Sequence, residues 1–218
     1  MTFRFKASAA MAMLAAFTVA GCKSEGDIIV DQGVGITAVR GVCPAVGVPD
    51  YLGNLTTFTQ PGARTLDALD VTAAITNVRS TCDDSGAQVY TEATFDVLAT
   101  RRDVSAARSV DLPYFVTVLQ GGTVVVTKQV GTVRVDFAAG QERGKGSARA
   151  GAYVDAAAAT LPADIRERIT KRRKAGDEDA ALDPLADPEV KAAIARATFE
   201  MLIGFQLTQD QLAYNATR

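Results

Sequence analysis

The stretch QVYTEATFDVLAT, Gln88 to Thr100, decides the fold. Val89, Ala93, Phe95, Val97 and Ala99 alternate with Tyr90, Glu92, Thr94 and Asp96. Successive side chains of an extended strand point to opposite faces, so strict alternation marks a strand with one face on a core and one toward water. No helical stripe fits the same residues.

Moving outward, the pattern repeats. Upstream, Leu69, Val71, Ala73 and Ile75 alternate with Asp70, Thr72 and Thr76 and lead to Cys82, while Asp83-Asp84-Ser85-Gly86 supplies the turn between the two strands. Downstream, a strand is expected from about Pro113 to Gln120. Gly121-Gly122 then makes a two-residue hairpin, and the return begins at Val124 to Val126. Val133, Val135 and Phe137 alternate with Arg134 and Asp136. Ile36 to Cys43 reads as a short strand closed by Cys43-Pro44, because proline cannot continue a ladder. Val46 to Asp67, broken by Pro49, Gly53, Pro61 and Gly62, reads as loop. Short strands rich in β-branched residues and separated by turn glycines predict a mainly β domain. The expected form is an antiparallel immunoglobulin- or fibronectin-like sandwich, with a barrel as the competing closure.

From about Thr160 the period becomes helical. Leu161, Ile165 and Ile169 form one stripe behind Pro162, and Asp187-Pro188-Glu189 suits the start of a second helix carrying Val190, Ala193, Ile194 and Ala197. Glu200 to Leu207 returns as a last strand. Thr208 to Gln211 has the spacing of a capping box opening a short terminal helix. The segment of about 160–198 is therefore expected as a helical insertion near the C-terminus of one domain covering 36–218.

The first residues have a different character. Arg4 and Lys6 precede an apolar run, Ala7 to Val19, that is too short to span a bilayer as a helix, which needs roughly 20 residues. The run ends in Val19-Ala20-Gly21-Cys22 and the chain then turns polar. This order resembles the lipobox of bacterial lipoprotein precursors. The resemblance implies a signal peptide over 1–21, cleavage before Cys22, and lipid (diacylglycerol and an acyl chain such as palmitate) on that cysteine. Two or three chains hold a protein on a membrane where one does so only marginally. Residues 22–35 then form a tether. Lys23 stands where an aspartate would, in many Gram-negative lineages, retain a lipoprotein in the inner membrane. The expected location is thus the cell envelope, on the periplasmic face of the outer membrane. The segments PYFVTVLQGG and LIGFQLTQDQLAYN are similar to segments of uncharacterised envelope lipoproteins of Gram-negative bacteria, a resemblance that implies no activity and no site residues.

Composition narrows the chemistry. The 218-residue chain is 48% apolar with a net charge of −2, which favours a packed core and does not favour nucleic acid as a partner. It has no histidine, which removes Ser-His-Asp and Cys-His catalysis and most zinc and copper sites. It has no tryptophan and three cysteines. With Cys22 carrying lipid, Cys43 and Cys82 remain, and in an oxidising compartment an even pair reads most simply as a disulfide. Two free thiols or part of a metal site are the other readings. No metal and no cofactor are expected.

Four groups of side chains are candidate sites. Arg166, Arg168, Lys171, Arg172, Arg173 and Lys174 form the densest charge; they would suit a partner protein, anionic headgroups or phosphates, or else are neutralised by Asp177, Glu178 and Asp179. Asp177 to Asp183 lacks the glycine and terminal glutamate of a calcium loop. Glu92 and Asp96 share a face about 13 Å apart on an extended strand, beyond the roughly 9.5 Å that glycoside hydrolysis tolerates. Tyr114, Phe115, Phe205 and Tyr214 serve either a partner surface or the core. The function expected is a non-catalytic binding or accessory module that holds another envelope protein. The alternatives are a histidine-free hydrolase of peptidoglycan or lipid, or a small-ligand carrier.

Overall fold

The computed structural model describes residues 41–174 and 176–217. The expectations for signal peptide, tether and Cys22 lie outside these residues, as does most of the expected strand 36–43. The described chain is mainly β. Eight strands form one sheet: β1 (Ala45–Gly47), β2 (Asn54–Phe58), β3 (Leu69–Asp83), β4 (Gln88–Arg101), β5 (Arg108–Gln120), β6 (Val124–Phe137), β7 (Arg143–Asp155) and β8 (Phe199–Phe205). Their order is β1-β8-β5-β6-β7-β4-β3-β2, curled into a half-barrel.

Two four-stranded halves are visible in the pairing. β3, β4 and β7 form long antiparallel ladders with β2 on their outer edge. β5 pairs along its length with β6 and, on its other side, with β8, which carries β1 in parallel. Between the halves, β6 and β7 share one residue pair, Asp136↔Lys145. Glycines make this corner. A Cβ on Gly146 would lie 2.5 Å from the Arg134 carbonyl oxygen and 2.6 Å from Val133 Cγ1, and one on Gly144 would lie 2.7 Å from Val135 Cγ1. Only a strand without side chains there can cross so close to β6 and then diverge.

Arg101 fastens the same end. It is 2% exposed, and its guanidinium donates to the carbonyls of Gln141 (3.0 Å), Ala106 (2.7 Å) and Ala138 (2.8 Å). Those carbonyls belong to the two loops, 102–107 and 138–142, by which the chain crosses from one half to the other and back. Arg108 adds a bidentate pair to Asp70, 2.7 Å at each oxygen, between the first residues of β5 and β3. The opposite seam is closed by the link between β1 and β2, where Phe205 N–H donates to the Leu52 carbonyl (2.8 Å) and Ile75 N–H to Gly53 (2.9 Å). Asn215 Nδ2 donates to the Tyr51 and Asn54 carbonyls, both at 2.8 Å, and holds the terminal helix against this link.

One core fills the curl. Val71, Phe95, Val97, Val118, Val133, Val135, Met201 and Phe205 are buried together, drawn from both halves. The helical insertion follows β7: α1 (Ala163–Thr170) and α2 (Pro188–Ala197). They enclose a small separate cluster of Leu161, Ile165, Ile169, Val190 and Ala193, the stripes read from the sequence. Asp187 caps α2 by accepting from Glu189 N–H (2.8 Å). α3 (Gln209–Ala216) carries the expected capping box between Thr208 and Gln211. Cys43 and Cys82 are joined by a disulfide with Cα atoms 6.1 Å apart.

Three local expectations are corrected. Gly41 to Cys43, the described part of the expected first strand, are not in a strand, and Pro44 precedes one: β1 begins at Ala45 as a parallel edge. The segment expected as loop, Val46 to Asp67, contains β2 and all of β1 but its first residue. β7 occupies Arg143–Asp155, where the sequence predicts no strand.

Candidate functional site

The most distinctive surface follows from the corner just described. Because β7 leaves after Asp136↔Lys145, β6 has no ladder partner on its outer side from Val124 onward, among the described residues. In an antiparallel ladder only alternate residues bond to a given neighbour, so β6 presents every second N–H and C=O to solvent along this edge. The sequence there is VVVTKQV, 124 to 130, entered through three residues, Gly121 to Thr123, between the paired Gln120 and Val124 and not the expected two; Gly121 and Gly122 turn the chain at φ 62° and 74°. Val124, Val125, Val126 and Val130 are 52–63% exposed, on both faces of the strand. The hairpin tip thus extends past the body of the core. Natural edge strands are usually blunted by proline, a bulge or several charges; this one has a bulge at Val126, where the β5 pairing steps from Leu119↔Val125 to Val118↔Thr127, and one charge, Lys128, whose Nζ lies 5.2 Å from the Phe115 ring centroid.

The residues weighed from the sequence fall elsewhere. Arg168 bonds to Asp187 and Glu189 at the start of α2. Lys171 (2.9 Å) and Arg173 (3.3 Å) converge on Asp179, whose carboxyl is held below the usual range chiefly by the Lys171 bond. Arg166 donates to the Leu161 carbonyl (3.2 Å). Arg173 is buried, while Arg172 and Lys174 are exposed at the end of the run. The structure therefore brings much of the basic segment onto acidic partners, which hold the two helices together. The acidic stretch is spent locally as well: Asp177 accepts from Lys174 N–H (2.8 Å) and Asp183 from Leu185 N–H (2.9 Å). Among the described residues no three His, Cys, Asp or Glu side chains cluster as metal ligands would.

Glu92 and Asp96 belong to separate networks. Glu92 accepts from Tyr90 Oη (3.2 Å). Asp96 accepts from Ser147 Oγ (2.7 Å), Lys145 Nζ (3.0 Å) and Asn77 Nδ2 (3.0 Å), and these bonds, Ser147 first, hold its carboxyl at about 2. A carboxylate so depressed stays ionised and is a poor proton carrier near neutrality. Beside it lies an open depression of about 330 Å³ lined by Asn77, Thr94, Ser147 and Arg149. A second, of about 340 Å³, lies between the hairpin glycines and α2, lined by Leu185, Lys191, Ile194 and Glu200. In the first, the Ser147 hydroxyl meets one carboxylate, Asp96, whose depressed value makes it a poor base. Of the aromatic set, Phe115 and Phe205 are buried, Tyr114 packs edge-on to Phe95 with centroids 5.1 Å apart, and Tyr214 meets Phe58 at 5.3 Å. They pack the fold.

No protein-family model matches the chain, and no curated protein or solved structure is significantly similar to it.

Proposed function

We propose that this protein is a lipid-anchored module of the bacterial cell envelope, held on the periplasmic face of the outer membrane, whose work is to bind another polypeptide rather than to catalyse. The single observation that carries the binding reading is the unpaired β6 edge. Backbone groups along Val124–Val130 offer a ladder, and four exposed valines offer pockets-and-ridges contact to an extended segment laid beside them. Adding a strand to an open edge is a common mode of peptide recognition, with main-chain bonds supplying affinity and alternate side chains specificity. Support for the anchor comes from the basic, apolar, Val-Ala-Gly-Cys, polar order of residues 4–26. We read the body as a sandwich of immunoglobulin or fibronectin type with one seam splayed. That reading rests on a shared core between two four-stranded halves.

Two experiments test this. A photo-crosslinking residue at Val125, installed in living cells, is expected to capture a protein, while the same group at Leu98, also exposed but on β4, is not. Silence from Val124, Val125 and Val130 alike would remove the edge as the binding element. For the anchor, Cys22→Ser is expected to abolish palmitate labelling; labelling that persists would rule it out.

A further inference from the structure

The outward face of β3, β4 and β7 carries a second arrangement, independent of the β6 edge. Register sets Arg79 of β3 opposite Thr94 of β4, and Thr94 opposite Arg149 of β7. Two strand spacings put the arginine Cα atoms about 10 Å apart, so both side chains are long enough to meet over one threonine. Both are exposed, and among the described residues neither forms an ion pair. Nearby cations are spent: Lys145 on Asp96 and Arg134 on Asp111.

Arg79 is also aimed. The β3–β4 register shifts between Thr76 and Arg79, and within that bulge Asn77 takes φ 51°, a left-handed conformation that asparagine tolerates better than most residues. Bulges re-aim side chains next to binding sites. Here the Asn77 amide works in two directions: Nδ2 donates to Asp96 Oδ2 (3.0 Å), and Oδ1 accepts from Arg79 Nε (3.1 Å). The guanidinium is fixed by its inner nitrogen, which leaves its terminal fork for a ligand. Asp96 is itself held by Lys145 and Ser147, so its charge is offset and its oxygens are occupied by donors. The depression of about 330 Å³ lies along this row, lined by Asn77, Thr94, Ser147 and Arg149.

From this arrangement we infer that Arg79 and Arg149 clamp the terminal phosphate of a phosphomonoester, with the Thr94 hydroxyl between them and Asn77 as a positioning residue. A carboxylate has one charge and two oxygens, enough for one guanidinium fork. A phosphomonoester carries close to two charges and three terminal oxygens, enough for two. The same group occurs on soluble sugar or glycerol phosphates and on phosphomonoester lipid headgroups.

The test follows the arginine Nε–H signals of the purified full chain, carrying Cys22→Ser, by NMR while glycerol phosphate is added at constant ionic strength. Arg79 and Arg149 are expected to shift together and saturate. Affinity should rise as pH climbs through about 6, where a phosphate ester gains its second charge; the chain has no histidine to imitate that profile. Arg149→Lys keeps the charge but loses the fork and should weaken binding about tenfold. Asn77→Gly suits the left-handed backbone and frees Arg79, so it should weaken binding several-fold without lowering the urea midpoint. Arg134→Lys should change nothing. Shifts that never saturate, that spread over all exposed arginines, or that ignore pH would overturn the inference, as would full binding by Arg149→Lys. Vesicles of phosphatidylcholine with and without phosphatidic acid then separate the sources. Phosphatidic-acid-dependent binding that Arg149→Lys weakens identifies a headgroup, and saturable glycerol phosphate binding without it identifies a soluble ester.

Discussion

Asp96 shows how a residue can be legible as a type and illegible in its role. The alternation of β4 places it correctly on the outward face, yet its three partners come from a bulge in β3 and from β7, neither visible from its neighbours in the chain. Those bonds lower its carboxyl from the ordinary 3.8 to about 2, with Ser147 contributing most. A folded-state value below the unfolded one adds stability that is fully present above about pH 4 and lost as pH falls through about 2. Asp96→Asn should therefore flatten the fall in urea midpoint between pH 4 and 2, relative to wild type. Asp83, Asp111 and Asp187 are also held below the usual carboxylate range and contribute alike in both proteins, so the difference curve isolates Asp96. Parallel curves would contradict the assignment. Arg101 was less legible still: nothing in Thr100-Arg101-Arg102-Asp103 separates the arginine that is buried on three carbonyls from the one beside it. Burial of a cation is decided by where loops close, and that is tertiary information.

At the scale of elements, alternation and caps were read well where side chains are large, and poorly where they are absent. β3, β4, the β5–β6 hairpin, α1, α2, β8 and α3 all follow the expected pattern, with ends shifted by a few residues. β7 escaped because RGKGSARAGAYVD offers glycine and alanine where strand propensity asks for branched or aromatic residues. Its smallness is a consequence of its place. Gly151 lies beneath the Tyr90 ring, and Gly144 and Gly146 lie against β6 where no Cβ fits. The strand is central, pairs with β4 over its whole length, and is dictated by what packs upon it. Gly146→Ala should cost about 1–3 kcal/mol, the range of overpacking, because its Cβ meets backbone that cannot rotate away. Gly41→Ala, whose Cβ would come no nearer than 4.0 Å to any neighbour (Cys43 N), should change stability by less than about 0.5 kcal/mol. Urea unfolding of both variants decides the matter; equal effects would mean the corner tolerates a methyl group. The free edge of β6 was illegible for the same reason, since an edge exists only once the departure of its neighbour is known.

For the whole molecule, the question is what keeps a sheet with so thin a corner from opening. Arg101 and the Arg108–Asp70 pair lock one end. The link between β1 and β2 draws the outer edges together through Leu52 and Phe205. The disulfide works on this second seam: Cys43 stands two residues before β1 in one half, and Cys82 is the last residue but one of β3 in the other. It closes a loop with a separation of 39 residues. Constraining such a loop in the unfolded chain is worth about 4 kcal/mol in the chain-entropy model, a large share of the 5–15 kcal/mol that holds a domain folded. Cys43→Ser/Cys82→Ser should therefore lower the urea midpoint sharply. It should also raise the dependence on denaturant, because an uncrosslinked chain exposes more surface on unfolding. Reductant should move wild type to the same midpoint and leave the double variant unchanged. That last comparison is the discriminating one: if reductant shifts both proteins equally, its action lies elsewhere than in this bond, and the seam must be held by the Leu52–Phe205 contact and the packing of Met201, Ile203 and Phe205 instead. If only wild type responds, the fold depends on oxidation after synthesis. A chain with that dependence reaches full stability in an oxidising compartment, which is where the lipobox-like segment at Val19–Cys22 would deliver it.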